Sequence, residues 1–187
     1  VRRGQSLRRA LQVNASVRRT REVAQSRMNN DEFAHFVADE GPAIEQLRHL
    51  VGGNAGKHLD GSSDSLGVLD TFVANLISTP EWERSELFEG LGDIRVWLAV
   101  RVAYYMGLYA RNELGCEWFL GEDSESDTHG TPVLAVDGIE FSPLLVSAAL
   151  LEGGVQAGLV GFFADLEIER IKEVPSNERR RRTTGCN

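Results

Sequence analysis

Cysteine is scarce in this chain: Cys116 and Cys186 are the only two in 187 residues, and they stand far apart. A disulfide scaffold is excluded, and both are read as free thiols in a reducing compartment, the cytoplasm. No apolar run approaches the roughly 18 residues that a membrane span requires. The first thirty residues carry arginine throughout and only scattered leucine and valine, so they lack the apolar stretch of a secretory signal.

Histidine is almost as rare. His35, His49, His58 and His129 include no i,i+4 pair and have no cysteine at a ligand spacing, which argues against zinc. No G-x-S-x-G motif is present, and Cys116 follows the expected C-terminal end of a helix, the wrong end of the dipole to stabilise a thiolate. Carboxylates, by contrast, are so numerous that their proximity in sequence carries little information. No catalytic residue, metal or cofactor is expected.

What is present is charge, strongly segregated beneath a net charge of −8. Residues 1–30 hold eight arginines against Glu22 alone, residues 31–175 hold eight bases against 26 acids, and residues 176–187 hold four arginines against Glu178. This divides the chain into an Arg-rich N-terminal arm (1–30), one globular domain (31–175) and a basic tail (176–187). Arg2, Arg3, Arg8, Arg9, Arg18 and Arg19 form pairs that are candidate phosphate contacts, giving a nucleic-acid reading of residues 1–28. That arm has no aromatic residue and no base-reading motif, and a solvated arm, or one docked onto an acidic surface, is the competing reading.

Periodicity predicts a mainly helical α+β fold. In the arm, Leu7, Ala10, Leu11 and Val17 give a loose helical stripe. Asn29 and Glu32 have capping-box spacing ahead of a short helix carrying Phe33, Phe36 and Val37. Gly41-Pro42 reads as the start of a second helix that ends at Gly52-Gly53, followed by a loop to Ser65. Leu66 to Ile77 reads as another helix, and Thr79 as the N-cap of one running to about Glu89.

The segment 93–114 is apolar around most of its circumference, the mark of a buried helix, and is expected to stand at the centre. Cys116–Leu120, Pro132–Val136 and Ile139–Phe141 then read as a three-stranded antiparallel sheet, with Asp137-Gly138 as a hairpin turn. Ser142-Pro143 should open a helix to Leu151, and a last helix should run from about Val155 to Val174. Its Gly154, Gly158 and Gly161 could admit a close neighbouring helix.

Three motifs invite a functional reading. Gly52 to Lys57 looks like a phosphate loop, but Val51 stands where glycine is needed and His58 where a hydroxyl is needed, so a plain loop is expected. Asp123, Glu125, Asp127 and His129 alternate like a calcium loop, but Thr128 and Leu134 occupy the positions that require Gly and Glu. Trp97, Arg101, Tyr105 and Trp118 are a candidate ligand pocket, weighed against an aromatic core in which Arg101 pairs with a buried carboxylate.

From Val102 onward, the buried helix with Tyr105-Met106-Gly107, its stop at Gly115, then Trp118, Pro132-Val133, Gly138, Pro143 and Gly153, resembles small uncharacterised bacterial domains. Some of these occur beside toxins or in immunity-type proteins. The resemblance implies a module that binds another protein, or itself, and performs no chemistry; it transfers no functional residue.

Overall fold

The computed structural model describes residues 27–79, 82, 85–91, 93–122, 128–136, 138–153 and 158–173. Seven α-helices and one three-stranded antiparallel sheet make an α+β fold among these residues. The Arg-rich segment 1–26, the basic tail, Asp137 and residues 154–157 lie outside the described residues.

Helix α1 (Asn30–Ala38) is opened by the predicted capping box. Asn29 Oδ1 accepts from the Asp31 and Glu32 amides at 2.9 and 3.0 Å, and Glu32 Oε2 accepts from the Asn29 amide at 2.8 Å. Helix α2 (Glu40–Val51) starts before the expected Gly41-Pro42 because it shares Asp39 with α1. The Asp39 N–H closes α1 on His35 while its carbonyl accepts from Ala43. Pro42 thus falls in the first turn, where its missing N–H costs no helical bond.

The stretch 52–65 is more ordered than a plain loop. It contains a short helix α3 (Gly53–Lys57), and Leu59 is fully buried. Arg48 ties it down by donating Nε and Nη2 to the Leu59 carbonyl at 2.9 and 2.6 Å. Helix α4 (Ser63–Ser78) follows, with Ser62 Oγ accepting from the Ser65 amide.

A helix is expected from Thr79 to about Glu89, of which residues 80, 81, 83 and 84 lie outside the described residues; among those described, none is α-helical. Thr79 closes α4 instead, donating its N–H to the Leu76 carbonyl. The bonds Ser85→Trp82, Phe88→Ser85 and Leu91→Phe88 all span three residues, and a 3-10 turn occupies Glu86–Phe88. The cause is the core: Trp82 and Phe88 are both buried and meet edge to face at 5.7 Å. Positions six apart would point about 120° apart on an α-helix, whereas these two rings meet.

Helix α5 (Ile94–Leu114) is capped by Asp93 and stopped by Gly115, whose φ of 69° is left-handed. It is the central helix. Its Val102, Tyr105, Met106 and Tyr109 join the main core with Leu69, Val73, Leu134 and Phe163, while Ala103 and Tyr104 join a second cluster with Phe36, Ile44 and Leu144. Facing two cores explains why it is apolar nearly all round.

Strand β1 (Trp118–Leu120) is shorter than expected because the Cys116 amide still closes the end of α5 on Ala110. It pairs with β2 (Pro132–Val136) in the register Trp118 to Leu134, and β2 pairs with β3 (Ile139–Phe141) as Leu134 to Phe141. Ser142 caps α6 (Pro143–Leu151), which packs along α5, and α7 (Gly158–Glu173) packs against α4.

Gly158 does not serve helix approach as expected. Its φ is +64°, and a Cβ there would run into the Asp70 carboxylate, 2.6 Å from Cγ. Asp70, projecting from α4, caps α7: Oδ1 accepts from Leu159 at 2.9 Å and Oδ2 from Val160 at 3.3 Å.

Candidate functional site

The four aromatic and arginine residues singled out in the sequence lie on or against α5, but each is taken up by its neighbours. Tyr105 is fully buried; its hydroxyl bonds Ser65 Oγ and accepts from the Gly61 amide at 3.2 Å. Burial raises its pKa, as it does that of Tyr104, whose hydroxyl donates to the Phe36 carbonyl at 2.8 Å. Trp118 lies across Gly107, where a Cβ would sit 2.6 Å from the ring's Cε2, and its edge meets Phe36 at 5.2 Å.

Arg101 corrects the expectation of a carboxylate partner. Its Nε and Nη2 donate to Gln46 Oε1 at 3.0 and 2.6 Å, Nη1 donates to the Trp97 carbonyl, and the guanidinium lies 4.3 Å from the Trp97 ring centroid. Residues 97 and 101 are one helical turn apart, so the ring is the nearest surface for the cation, and only partial burial has to be offset. Burial lowers its pKa, while Tyr104 and Asp39 act in the opposite direction.

The buried carboxylate of this region is Glu40, which sequence reading missed. It accepts Trp118 Nε1–H on Oε1 at 3.0 Å and pairs with Arg111 through Oε2. One acid thus ties α2, α5 and β1 together. Its only sequence signal is its place beside the Gly41-Pro42 helix start.

The candidate phosphate contacts Arg2, Arg3, Arg8, Arg9, Arg18 and Arg19 lie outside the described residues, as do Asp123, Glu125 and Asp127 of the acidic loop. The neck of that loop is closed: the Gly121 amide donates to the Thr131 carbonyl at 3.0 Å, the Gly130 amide donates to the Gly121 carbonyl at 2.8 Å, and His129 Nδ1 lies 3.2 Å from the Glu122 carbonyl. Among the described residues no group of three or more His, Cys, Asp or Glu is placed to hold a metal ion. No helix among them is long and apolar enough to cross a membrane.

Open space lies elsewhere, along the outer face of α4. A groove of about 700 Å³ runs between α4, α6 and α7, lined by Ala74, Ile77, Leu150 and Val160. A second, of about 480 Å³, is lined by Val51, Val68 and Phe72. Both include Gly67 and Thr71, so the two flank one exposed stripe of α4 as a double trough. None of Trp97, Arg101, Tyr105 or Trp118 is among the residues lining it.

The charged residues described in its lining are Asp64 and Asp70, both acids. Small residues make the trough: Gly67, Thr71, Ala74 and Ser78 recur at helical spacing, and a Cβ at Gly67 would meet nothing within 4 Å. That recurrence stands in the sequence, but small side chains give no sign of being exposed rather than packed. Compared with family models, curated proteins and solved structures, the α+β chain matches none.

Proposed function

We propose that this chain is a non-catalytic protein-binding module, working in the cytoplasm as an accessory or immunity-like protein, and that its partner docks along the α4 trough. The observation that carries the reading is a contrast. The polar groups of the buried aromatic region are spent on one another, Glu40 on Arg111 and Trp118, Tyr105 on Ser65 and Gly61, Tyr104 on Phe36. The trough, with apolar Val68, Phe72 and Ile77 half-buried and Val160 46% exposed, is left uncovered by the described residues. Apolar surface gathered into a groove is the usual ground of a protein contact.

The test is capture from lysate, with and without nuclease, by the full chain and by its Gly67→Arg variant, which fills the trough from a site with open space around it. A protein held by the first and released by the second is the expected result. Equal retention by both moves the contact off this face. Retention of nucleic acid alone, lost when Arg2, Arg3, Arg8, Arg9, Arg18 and Arg19 are changed to Gln, sinks the reading and makes the arm a phosphate binder.

A further inference from the structure

We propose that the element of a partner which the double trough takes is a cationic amphipathic helix, laid along α4 with its apolar side chains divided between the two grooves. The proposal rests on the reading of this face as a protein-docking surface and names the chemistry of what docks there.

The shape of the face comes from the small residues of one helix and the apolar walls beside it. Gly67, Thr71, Ala74 and Ser78 fall within about 60° of one another on α4, on the side turned away from buried Leu66, Leu69 and Val73. On one flank of this stripe Ile77, Leu150 and Val160 wall the larger groove, and on the other Val51, Val68 and Phe72 wall the smaller.

Two grooves on either side of a low stripe fit a helix better than a strand. Small side chains at the contact let a second helix approach to about 8 Å, the near end of the range for packed helices. Apolar residues at i, i+3, i+4 and i+7 of that helix fall alternately to the left and right of the contact line, so each groove receives a row of side chains. A strand sends one row of alternate side chains inward and would leave one groove empty.

Charge selects the kind of helix. Each groove has one described acid in its lining, Asp70 in the larger and Asp64 in the smaller. They stand about 120° apart on α4, one on either side of the stripe. Glu167 is exposed two turns along α7 from Val160, on the same side. No Lys, Arg or His occurs in α4, or in α7 through Glu169.

An occupant with cations flanking its apolar stripe therefore meets carboxylates on both sides. A second copy of this face would set acid against acid, and an acidic helix would do the same. The length of the seat follows from α4, whose 16 residues span about 24 Å, or some four turns of a partner helix.

The probe is a synthetic helix of about four turns, made of leucine and lysine with leucine at i, i+3, i+4 and i+7, titrated into the full chain by fluorescence anisotropy. Two control peptides differ in one property each: glutamate in place of lysine, or the same residues reordered so that no apolar stripe forms. Gly67→Gln is the protein control, because a neutral side chain from a site with open space covers the stripe without repelling the probe. The leucine–lysine helix is expected to bind about tenfold more tightly than either control peptide, and about tenfold more weakly to Gly67→Gln. Asp64→Asn should weaken it about twofold, the effect of one exposed charge pair.

Equal binding of the reordered peptide means that charge alone is read, equal binding of the glutamate helix that no charge is read, and unchanged affinity in Gly67→Gln that the probe sits elsewhere; each overturns the proposal. So does a wild-type dimer that Gly67→Gln converts to monomer, which puts a second copy in the trough. The two readings fail separately. Lysate capture lost in Gly67→Arg, with no binding of the leucine–lysine helix, removes the cationic helix and keeps the docking face. Capture undiminished in Gly67→Arg, beside probe binding that Gly67→Gln weakens, moves the captured protein off this face and leaves the trough's preference for a cationic helix in place.

Discussion

Gly107 shows how one missing side chain positions a whole strand. The Trp118 indole lies against it, its N–H held by Glu40 and its ring in T-shaped contact with Phe36 and Tyr104. Because the ring is fixed on several sides it cannot swing away from a new methyl group. Gly107→Ala is therefore expected to destabilise the protein by about 1–3 kcal/mol despite alanine's better helix propensity, read as a lower urea midpoint at unchanged slope.

Asp60 gives a pH-dependent signature at the same scale. Hydrogen bonds from Ser62, chiefly, together with Ser65, lower its pKa from 3.8 to about 2, against a small opposing effect of burial. A carboxylate whose folded pKa is depressed contributes stability that is present above pH 3.8 and lost as pH falls through 2. The wild type should thus melt higher than Asp60→Asn at pH 6, and the gap should close between about pH 4 and pH 2. A gap that persists unchanged to pH 2 would show that the charge of Asp60 is not what these bonds stabilise.

At the scale of elements, α7 depends on a side chain from another helix. Asp70 satisfies two amides at the N-terminus of α7, where a negative charge is also favoured by the helix dipole. Asp70→Ala is expected to cost about 1–2 kcal/mol, and Asp70→Asn less, because one oxygen still accepts. Hydrogen exchange should show the loss first in residues 158–163, at the free end of α7.

The 3-10 turn at Glu86–Phe88 is governed by the same principle. Glu81 and Glu83 after Thr79 favour a helix start locally, but burying Trp82 and Phe88 together requires a three-residue repeat. Ser85 and Leu91 extend that repeat in the sequence. It went unread because a helical stripe and a three-residue repeat differ little over so short a span.

The whole molecule is organised by α5, whose opposite sides belong to two clusters. A helix shared this way couples them, so the described domain should unfold as one unit. Tyr104→Phe, which removes a buried hydrogen bond to the Phe36 carbonyl and leaves it only the Asp39 amide, is expected to cost about 0.5–1.5 kcal/mol. It should move tryptophan fluorescence and far-UV circular dichroism by the same amount. Two separated transitions would mean that the clusters are independent.

What the sequence by itself determined is local in origin. The capping box at Asn29, the stop at Gly115, the Ser142-Pro143 helix start and the bounds of β2 and β3 all follow from short-range chemistry and period. The central place of α5 was legible too, since a helix apolar all round has to be buried. Only the tertiary structure decided how side chains distant in the chain would meet. It gave Glu40 to Trp118 and Arg111, Arg101 to Gln46 and Asp70 to the start of α7. It also opened a trough over Gly67 and Thr71, because small residues along a helix permit either a close neighbour or an empty groove, and the surrounding helices choose between them.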